Sequence, residues 1–553
     1  MNKKDFFNQP YIEVPGTQGA CWGGWPAIGQ ALKAHLQALD EAKVVLAVEC
    51  YPGTYAHIDM GFLKSTLQPN VVCRSEDLFL EEKSIRQRIS KGFAQAPRAD
   101  HDLPSTVASF FDEQKLAAIT ETIESIDEGI VLIHGVGAHL IAPANVLVYS
   151  DVSRYELIQR LKRKEITNIG VDNRDAPYWR QYAWSYFIDW PLGDHIKQAL
   201  LPVCDFVLET NNWQRPKMAT GDALRKGLAV AARRPFSPAP FFDPALWDAP
   251  EPEDQPREGL SVNFHLRAEE DNLLLKLDDQ LFEVPAVNLL HLLPEAILGQ
   301  AARSAWGDRV PFRIGFHDCY QQKSHIVNYY PTPQELAQQF GQVARQNDTY
   351  LPVKARKDAH LLAGVQPDQS LVALEEATRQ DWPKEMVWRT LLRAHPLERY
   401  KAVVVPAGVL HSTGVGGQLI HISTAPALFR QYFGRKDKVQ DPYLPMPMPA
   451  LADLIGRRRE APPVRENTSR EEQAGGLQAR ILSLKNSAAL PGGQGIRAVC
   501  LVEGPPVRLK FGGGQPYTLA FGQVTLLPAG LQDVQLETSR PAELLLVYPS
   551  GIS

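Results

Sequence analysis

Short apolar segments alternate with longer amphipathic ones in the first 235 residues, and this alternation constrains the fold more than any other feature. The apolar segments are short and rich in β-branched residues, as buried strands are, and lie at 44–48, 130–134, 145–149 and 206–208. Segments with a helical period lie between them, at 112–127 and 154–164. Strands that alternate with helices predict a parallel sheet with right-handed crossovers, so we expect an α/β domain at residues 1–235.

The pattern changes after a proline-rich crossing at 235–258. From 260 to 330 short strand-like segments follow one another with turns between them, which predicts antiparallel β structure. We therefore expect an all-β domain at 236–440 that carries a helical insertion at about 357–398. A proline-rich and charged stretch at 441–476 is typical of a linker, and a second small β domain is expected at 477–553.

One internal similarity links the two β regions. The segment VVVPAGVLHSTG at 403–414 is similar to TLLPAGLQDVQL at 525–536, and both are typical of a strand, a Pro-Ala-Gly turn and a second strand. His411 follows the first turn, and Asp533 occupies the corresponding place after the second. Two related β-barrels, one with a metal ligand and one without, would explain the pair; chance similarity over so few matched residues is the alternative.

Charge and cysteine content exclude several classes of protein. The 553 residues include 58 Lys and Arg against 63 Asp and Glu, so nothing indicates binding to nucleic acid or to an anionic membrane surface. None of the six cysteines forms a Cys-x-x-Cys pair, which argues against a zinc ribbon and for reduced thiols. No apolar run is long enough to span a bilayer and no secretory signal is visible, so we expect a cytoplasmic protein.

Residues 311–330 and 401–434 resemble a type I mannose-6-phosphate isomerase. The resemblance rests on PFRIGFHDCY, HIVNYYPTPQEL, NDTYLPV, VVVPAGVLHSTG and LIHIS, followed by Arg430. It implies a bicupin, that is, two β-barrels, with zinc held by Gln, His, Glu and His and with a catalytic Arg. The implied reaction is aldose–ketose isomerisation of a small sugar phosphate, mannose 6-phosphate to fructose 6-phosphate.

This sequence keeps one of the four implied zinc ligands unchanged. The implied ligand positions are Asn328, Tyr330, Asp348 (or Asn347, with a shift of one residue) and His411. The resemblance makes Arg430 catalytic. His421 stands where the family has a Glu, after the last ligand position and before that Arg, and it is the second catalytic candidate. A neutral amide and a phenol are poor partners for Zn²⁺ beside one imidazole, so zinc is expected to bind weakly or not at all. A site rebuilt from His411, His421 and Asp348 is the alternative.

The N-terminal half is similar to the nucleoside-kinase-like extension of long bacterial members of that family. The similarity lies in DVSRYELIQRLKRKEITNIGVDNR, FIDWPLGDHIK and ETNNWQRPKMATGDALRKGL, and it implies a P-loop-kinase-like parallel sheet. A P-loop needs a Lys that reaches the phosphates, and AVECYPGTYAHID offers Gly53 and Thr54 but no Lys. Glu49 would repel a phosphate there, so no ATP turnover is expected.

Two weaker signals accompany this half. The helix at 154–164 carries five basic residues, which favour a solvated basic face over a helix that closes on phosphates. The Gly-rich segment that follows the strand at 130–134 predicts a tight crossing from strand to helix rather than a dinucleotide site.

Two functions fit these observations. The first is a metal-dependent sugar-phosphate isomerase that works through a rebuilt site. The second is a binding or regulatory protein that kept both folds and lost both active sites.

Overall fold

The computed structural model describes residues 11–94, 106–239, 270–321, 325, 327–330, 332–334, 347–366, 385–412, 414–424, 431–433, 464–467, 471–474, 476–490, 493, 495–512 and 514–550. The fold is mixed, with an α/β sheet in the N-terminal half and antiparallel sheets in the C-terminal half. Among the described helices, none combines the length and the apolar character needed to cross a membrane. All six cysteines are buried, and none is in a disulfide.

A seven-stranded sheet organises the N-terminal half. Its strands are β2 (Cys21–Gly23), β3 (Lys43–Cys50), β4 (Val71–Arg74), β5 (Gly129–Gly135), β6 (Val146–Asp151), β7 (Phe206–Glu209) and β8 (Lys217–Thr220). Five strands, from β7 to the edge strand β4, are parallel; at the other edge β8 pairs antiparallel with β7, and β2 pairs antiparallel with β8. Parallel strands are covered on both faces, which explains the continuous apolar runs that predicted them.

The first parallel strand lies in the middle of this sheet. The order is β2-β8-β7-β6-β3-β5-β4, so the chain leaves β3 towards β4 and β5 on one side and towards β6 and β7 on the other. Strand order therefore reverses beside the carboxyl end of β3, and such a reversal opens a crevice where open α/β sheets bind ligands.

Helices connect and cover these strands. The described part of this half contains eight: α1 (Trp25–Gln37), α2 (Ala56–Leu67), α3 (Glu82–Ala94), α4 (Glu113–Glu124), α5 (Arg154–Lys162), α6 (Tyr178–Trp184), α7 (Trp190–Leu200) and α8 (Gly221–Ala231). Single turns of 3₁₀-helix lie at Ser75–Leu78, Val107–Phe110 and Ala138–Leu140, and a π turn at Ser185–Asp189 joins α6 to α7. Ser153 caps α5, because its side chain accepts a hydrogen bond from the Glu156 amide. The helices predicted at 112–127 and 154–164 are confirmed as α4 and α5.

A small sheet joins the beginning of the chain to residues beyond the proline-rich crossing. Strand β1 (Ile12–Val14) pairs in parallel with β9 (Asn272–Leu277), which pairs antiparallel with β10 (Gln280–Pro285). Three short helices follow: α9 (Val287–Leu292), α10 (Pro294–Leu298) and α11 (Gln300–Trp306). The prediction of strands and turns throughout 260–330 was therefore wrong after Pro285, where the chain turns into α9.

Nine strands form the central β region. They are β11 (Phe312–Asp318), β12 (Val327–Tyr329), β13 (Asp348–Val365), β14 (Leu392–Pro396), β15 (Ala402–Val405), β16 (His411–Ser412), β17 (Val415–Thr424), β18 (Gln431–Phe433) and β19 (Arg465–Asn467). Strand β13 pairs with four others, and two irregularities in its register with β17 let it serve both parts of the sheet. Within the described residues the path from β11 to β18 does not close into a ring.

Two expected segments differ from the structure. Strand β13 continues to Val365, so the first part of the insertion expected at 357–398 is strand; α12 (Glu385–Leu391) supplies described helix there, and β14 follows it. The expected linker at 441–476 contains β19 and β20 (Glu471–Ala474), which pair with β15 and β21 (Leu477–Leu484). Charged strand residues at a sheet edge look like linker in a sequence, because they lack an apolar run.

Two sheets pack face to face at the C-terminal end. The further strands are β22 (Ser487–Ala489), β23 (Arg497–Glu503), β24 (Val507–Lys510), β25 (Tyr517–Leu519), β26 (Val524–Leu527), β27 (Gln535–Glu537) and β28 (Ala542–Pro549). Val499, Leu509 and Leu544 lie in the apolar core between the sheets. Each Pro-Ala-Gly turn follows a buried strand, β15 in the first case and β26 in the second, as the internal similarity predicted.

Candidate functional site

The residues predicted around zinc lie on four paired strands of the central sheet. Asp348 begins β13, His411 begins β16 and His421 lies on β17. Tyr350 of β13 is directly opposite His421, and Asn328 of β12 is opposite His411. Strand pairing thus brings Asp348, His411 and His421 into one neighbourhood.

His411 is buried, and both of its ring nitrogens have partners. Nδ1 lies 2.9 Å from the Val409 carbonyl oxygen, to which it donates. Nε2 then carries the lone pair, and the Tyr350 hydroxyl lies 3.0 Å away, where it donates to that nitrogen. Tyr330, the second implied ligand position, stacks on the His411 ring with 5.5 Å between centroids. The imidazole is therefore part of a polar and aromatic cluster.

Asp348 and His421 form a close pair beside it. His421 Nε2 lies 2.5 Å from Asp348 Oδ1, and Asp348 is 1% exposed. The other carboxylate oxygen is 3.9 Å from His411 Nε2. Tyr350 stacks flat on His421, with 4.7 Å between centroids and 7° between planes, and His317 meets the same imidazole edge to face. Asp348 thus orients His421 from within the sheet, as a buried carboxylate does for a histidine base.

The remaining predicted positions have different outcomes. The backbone of Asn328 belongs to β12, and its side chain lies outside the described residues, as does all of Arg430. Asn347, the alternative to Asp348, accepts a 3.4 Å hydrogen bond from the Ala407 amide in the Pro-Ala-Gly turn. Asp348 is therefore the one that faces the histidines.

Sequence reasoning missed Tyr350. It lies two residues after Asp348, so both side chains project from the same face of β13. Since Asp348 was a candidate ligand, that spacing alone could have pointed to Tyr350 as its neighbour. The structure also places the ring of His317 against His421 and near Tyr350.

A second histidine cluster lies behind His411. His325 Nδ1 lies 2.9 Å from the Ser412 hydroxyl, and its Nε2 lies 3.1 Å from Nε2 of His360. His360 Nδ1 donates to the Asp358 carbonyl oxygen at 2.8 Å. Burial, together with the neighbouring His360 and Arg389, lowers the pKa of His325 to about 3.

In the α/β half, three potential metal-ligating side chains meet at the carboxyl end of β3. They are Cys50 of β3, His134 of β5 and Asp59 of α2, and their ligand atoms all lie within 4.8 Å of one another. The Cys50 sulfur is 3.6 Å from His134 Nε2. Burial raises the pKa of Asp59 to about 7 and lowers that of His134 to about 3. Neither Asp59 nor His134 had been recognised as a site residue.

The Gly-rich turn after β5 already holds an anion from the chain itself. Glu49 accepts hydrogen bonds from the amides of Gly137 at 2.6 Å and His139 at 3.1 Å, and His139 Nδ1 donates to it at 2.7 Å. Backbone amides in such a turn make an anion-binding concavity, and here a buried carboxylate fills it. The turn leads from β5 into the single 3₁₀ turn Ala138–Leu140 and then to β6, so the predicted crossing to a helix is reduced to that one turn, and Glu49 is its internal ligand.

The basic helix α5 differs from the solvated face that was predicted. Arg160 is fully buried and donates to the carbonyl oxygens of Gly53 at 3.0 Å and Thr210 at 2.5 Å. Its guanidinium also lies 3.9 Å above the Tyr55 ring. Arg154 is buried as well and pairs with Asp194. These arginines hold the 51–55 loop and α7 in place, whereas Lys164 is exposed.

A further buried ion pair connects this edge of the sheet to α9. Lys197 Nζ lies 2.7 Å from Asp151 Oδ1, and both side chains are almost completely buried. Asn288 of α9 donates to the other carboxylate oxygen at 3.0 Å. The carboxyl edge of the parallel sheet is thus lined by paired charges.

Comparison with protein families gives one match, in the N-terminal half. A family model described as a domain of unknown function (DUF8485) matches residues 24–233. No curated protein matches the chain.

Solved structures similar to this chain include mannose-6-phosphate isomerases. The protein of Archaeoglobus fulgidus assigned as a mannosephosphate isomerase is 16% identical, with 50% of this chain and 83% of that chain covered and a TM-score of 0.38. The mannose 6-phosphate isomerase of Bacillus subtilis is 15% identical, with 44% of this chain and 76% of that chain covered and a TM-score of 0.33. A variant of the phosphomannose isomerase of Salmonella typhimurium is 12% identical, with 50% of this chain and 88% of that chain covered and a TM-score of 0.36.

Proposed function

We propose that this chain is a sugar-phosphate-binding protein of the mannose-6-phosphate isomerase class in which zinc-dependent isomerisation has been lost. The observation that carries the proposal is the state of His411, the one unchanged ligand, whose two ring nitrogens are bonded to Val409 and Tyr350. The bicupin and kinase-like assignments of the two halves belong to the same proposal.

The donor set around His411 does not fit zinc. An imidazole binds a metal through its lone pair, and on His411 that lone pair accepts the Tyr350 hydroxyl proton. Asp348 would have to give up the hydrogen bond from His421 on one oxygen, and its other oxygen faces His411 at 3.9 Å. A phenol and an amide complete the set, and zinc prefers nitrogen, thiolate or carboxylate ligands. We therefore derive no step through a metal at this place.

The ligand that we propose is a small sugar phosphate, and Arg430 is its anchor. A guanidinium grips phosphate oxygens through paired donors, which a lysine does not reproduce. The α/β half supports a binding role over phosphoryl transfer, since the loop after β3 lacks the phosphate-binding lysine and Glu49 fills the neighbouring anion-binding turn.

Calorimetry and a turnover assay test this proposal together. Mannose 6-phosphate and fructose 6-phosphate should both bind the wild type. Their affinity should be at least tenfold lower for Arg430→Ala and the same as for the wild type in Arg435→Ala, the matched control in the same segment. Neither sugar phosphate should be converted into the other, with or without added zinc. Zinc-stimulated turnover that is lost in His411→Ala contradicts the proposal, and so does the absence of binding.

One observation favours a second candidate, isomerisation without a metal. His421 donates from Nε2 to the buried Asp348, which leaves the Nδ1 lone pair as a base. The His421 side chain is 13% exposed, whereas Asp348 is 1% exposed. A base of this kind can carry a proton between C1 and C2 of a sugar phosphate. Exchange of the C2 proton of mannose 6-phosphate with deuterated water, followed by NMR, tests it: exchange that resists chelators and disappears in His421→Asn supports this candidate, and no exchange in the wild type excludes it.

A further inference from the structure

The three side chains at the carboxyl end of β3 are incompletely satisfied. Asp59 Oδ2 accepts the Ser150 hydroxyl at 3.0 Å, but Asp59 Oδ1 has no hydrogen-bond partner among the described residues. His134 meets the Cys50 sulfur with both ring nitrogens, at 3.7 and 3.6 Å. One thiol carries one proton and cannot satisfy both nitrogens. Leaving such groups unpaired in a buried site costs free energy, about 1–3 kcal/mol for each group.

The same three groups bring sulfur, nitrogen and oxygen ligand atoms close together. Zinc bond lengths to sulfur and to imidazole nitrogen, at a tetrahedral angle, place these two atoms about 3.6 Å apart. The Cys50 sulfur lies at nearly this distance from both ring nitrogens of His134, so it faces the ring, and the imidazole has to turn about its Cβ–Cγ bond to aim one lone pair at an ion. The carboxylate atom of Asp59 lies within 4.8 Å of the other two ligand atoms.

The fold explains why these residues converge. Cys50, His134 and Ser150 project from the same face of adjacent parallel strands, because Val48 is paired with His134 and Cys50 with Ser150. Asp59 reaches down to this face from the first turn of α2. A neighbouring group also supports one ligand, because the Ser150 hydroxyl fixes the carboxylate of Asp59.

We propose that Cys50, Asp59 and His134 form a binding site for a divalent transition metal ion, with Zn²⁺ as its expected occupant. A thiolate, a carboxylate and a neutral imidazole together cancel the charge of the ion, and this mixture of sulfur, oxygen and nitrogen suits zinc better than Mg²⁺ or Ca²⁺. The ion would join β3, β5 and α2 where the 51–55 loop begins. The site is separate from His411 and independent of the function proposed above.

Cobalt titration of the full chain tests the site. After treatment with a chelator and desalting, the wild type should bind one equivalent of Co²⁺, with the intense near-ultraviolet absorption of a thiolate–cobalt bond, and Zn²⁺ should displace it. Cys50→Ser should lose that absorption, and Asp59→Asn and His134→Gln should bind Co²⁺ at least tenfold more weakly. Cys73→Ser, which changes a buried cysteine on β4 of the same sheet, and His411→Ala should both keep it.

Several results would overturn the proposal. The proposal is refuted if the folded wild type shows no thiolate–cobalt absorption when Co²⁺ is added. It is also refuted if that absorption persists in Cys50→Ser. If Cys50→Ser does not fold, as judged by circular dichroism, the other two variants decide: wild-type affinity in both refutes the site. Loss of the absorption in His411→Ala would place the ion at the other sheet and refute it equally.

Discussion

The hydroxyl group of Tyr350 lies 3.0 Å from Nε2 of His411, the atom through which a metal would have to bind. The same tyrosine ring stacks on His421, so one side chain connects the two histidines of the central sheet. The interior of this sheet is therefore held together by its own polar groups.

Removing this hydroxyl should destabilise the protein. Tyr350→Phe keeps the ring but leaves His411 Nε2 without its donor, and an unsatisfied buried acceptor costs about 1–3 kcal/mol. Urea unfolding should show this loss. Tyr11→Phe, which changes an exposed tyrosine, is the control and should leave the free energy of unfolding unchanged. Equal stability of the two variants would mean that the Tyr350 hydroxyl bond contributes nothing.

The Asp348–His421 pair should also matter for folding. His421→Leu removes the donor from a buried carboxylate, and hydrogen bonds to charged groups contribute about 1.5–3 kcal/mol. His195→Leu, at an exposed position on α7, is the control. Thermal unfolding of both variants checks the expectation, which is wrong if His421→Leu melts at the wild-type temperature.

Two lysine–carboxylate pairs with the same N–O distance allow a matched test of burial. Lys197–Asp151 and Lys510–Glu537 are both separated by 2.7 Å, but the lysine is 1% exposed in the first pair and 51% exposed in the second. Lys197→Met leaves a buried charge uncompensated and should cost about 3–5 kcal/mol. Lys510→Met should cost about 0–1 kcal/mol. Chemical denaturation that gives the same loss for both would contradict the assigned burial.

Stability should decrease in acid through His325. Its pKa falls from 6.5 to about 3 on folding, so between these values the unfolded chain binds more protons than the native protein. The contribution of neutral His325 is complete above pH 6.5 and is lost as the pH falls towards 3; at about pH 5 the loss is about 2 kcal/mol. In denaturation curves across this range, His325→Gln should depend less on pH than the wild type, whereas His195→Gln should behave like the wild type. The prediction would be wrong if the free energy of unfolding changed with pH equally in His325→Gln and in the wild type.

Four of the five parallel strands were predicted because each is a continuous apolar run, and their alternation with helices indicated the α/β class. The fifth, β4, was missed because it is only four residues long and ends in Arg74. The convergence of Asp348 and His421 was less accessible, because it depends on the register between β13 and β17, which loop lengths and bulges set. Arg160 was misjudged for a similar reason. Its partners are the carbonyl oxygens of Gly53 and Thr210, and backbone acceptors leave no signal in a sequence.

The cluster at the carboxyl end of β3 illustrates the same limit. Cys50 and His134 are paired through neighbouring strands, and nothing in their spacing resembles a metal motif. Knowledge of the strand order would have sufficed to suggest it, since β3 and β5 are parallel neighbours and end at the same edge of the sheet.

The pairing of β1 with β9 has a consequence for how the chain is made. Ile12 is synthesised before its partner Leu275, and all seven strands of the large sheet and the whole proline-rich crossing are made between them. The backbone edge of Ile12 and Val14 that pairs with β9 therefore waits for its partner until translation has passed this half. A fragment that stops at residue 235 lacks β9 and would leave that edge of β1 unpaired.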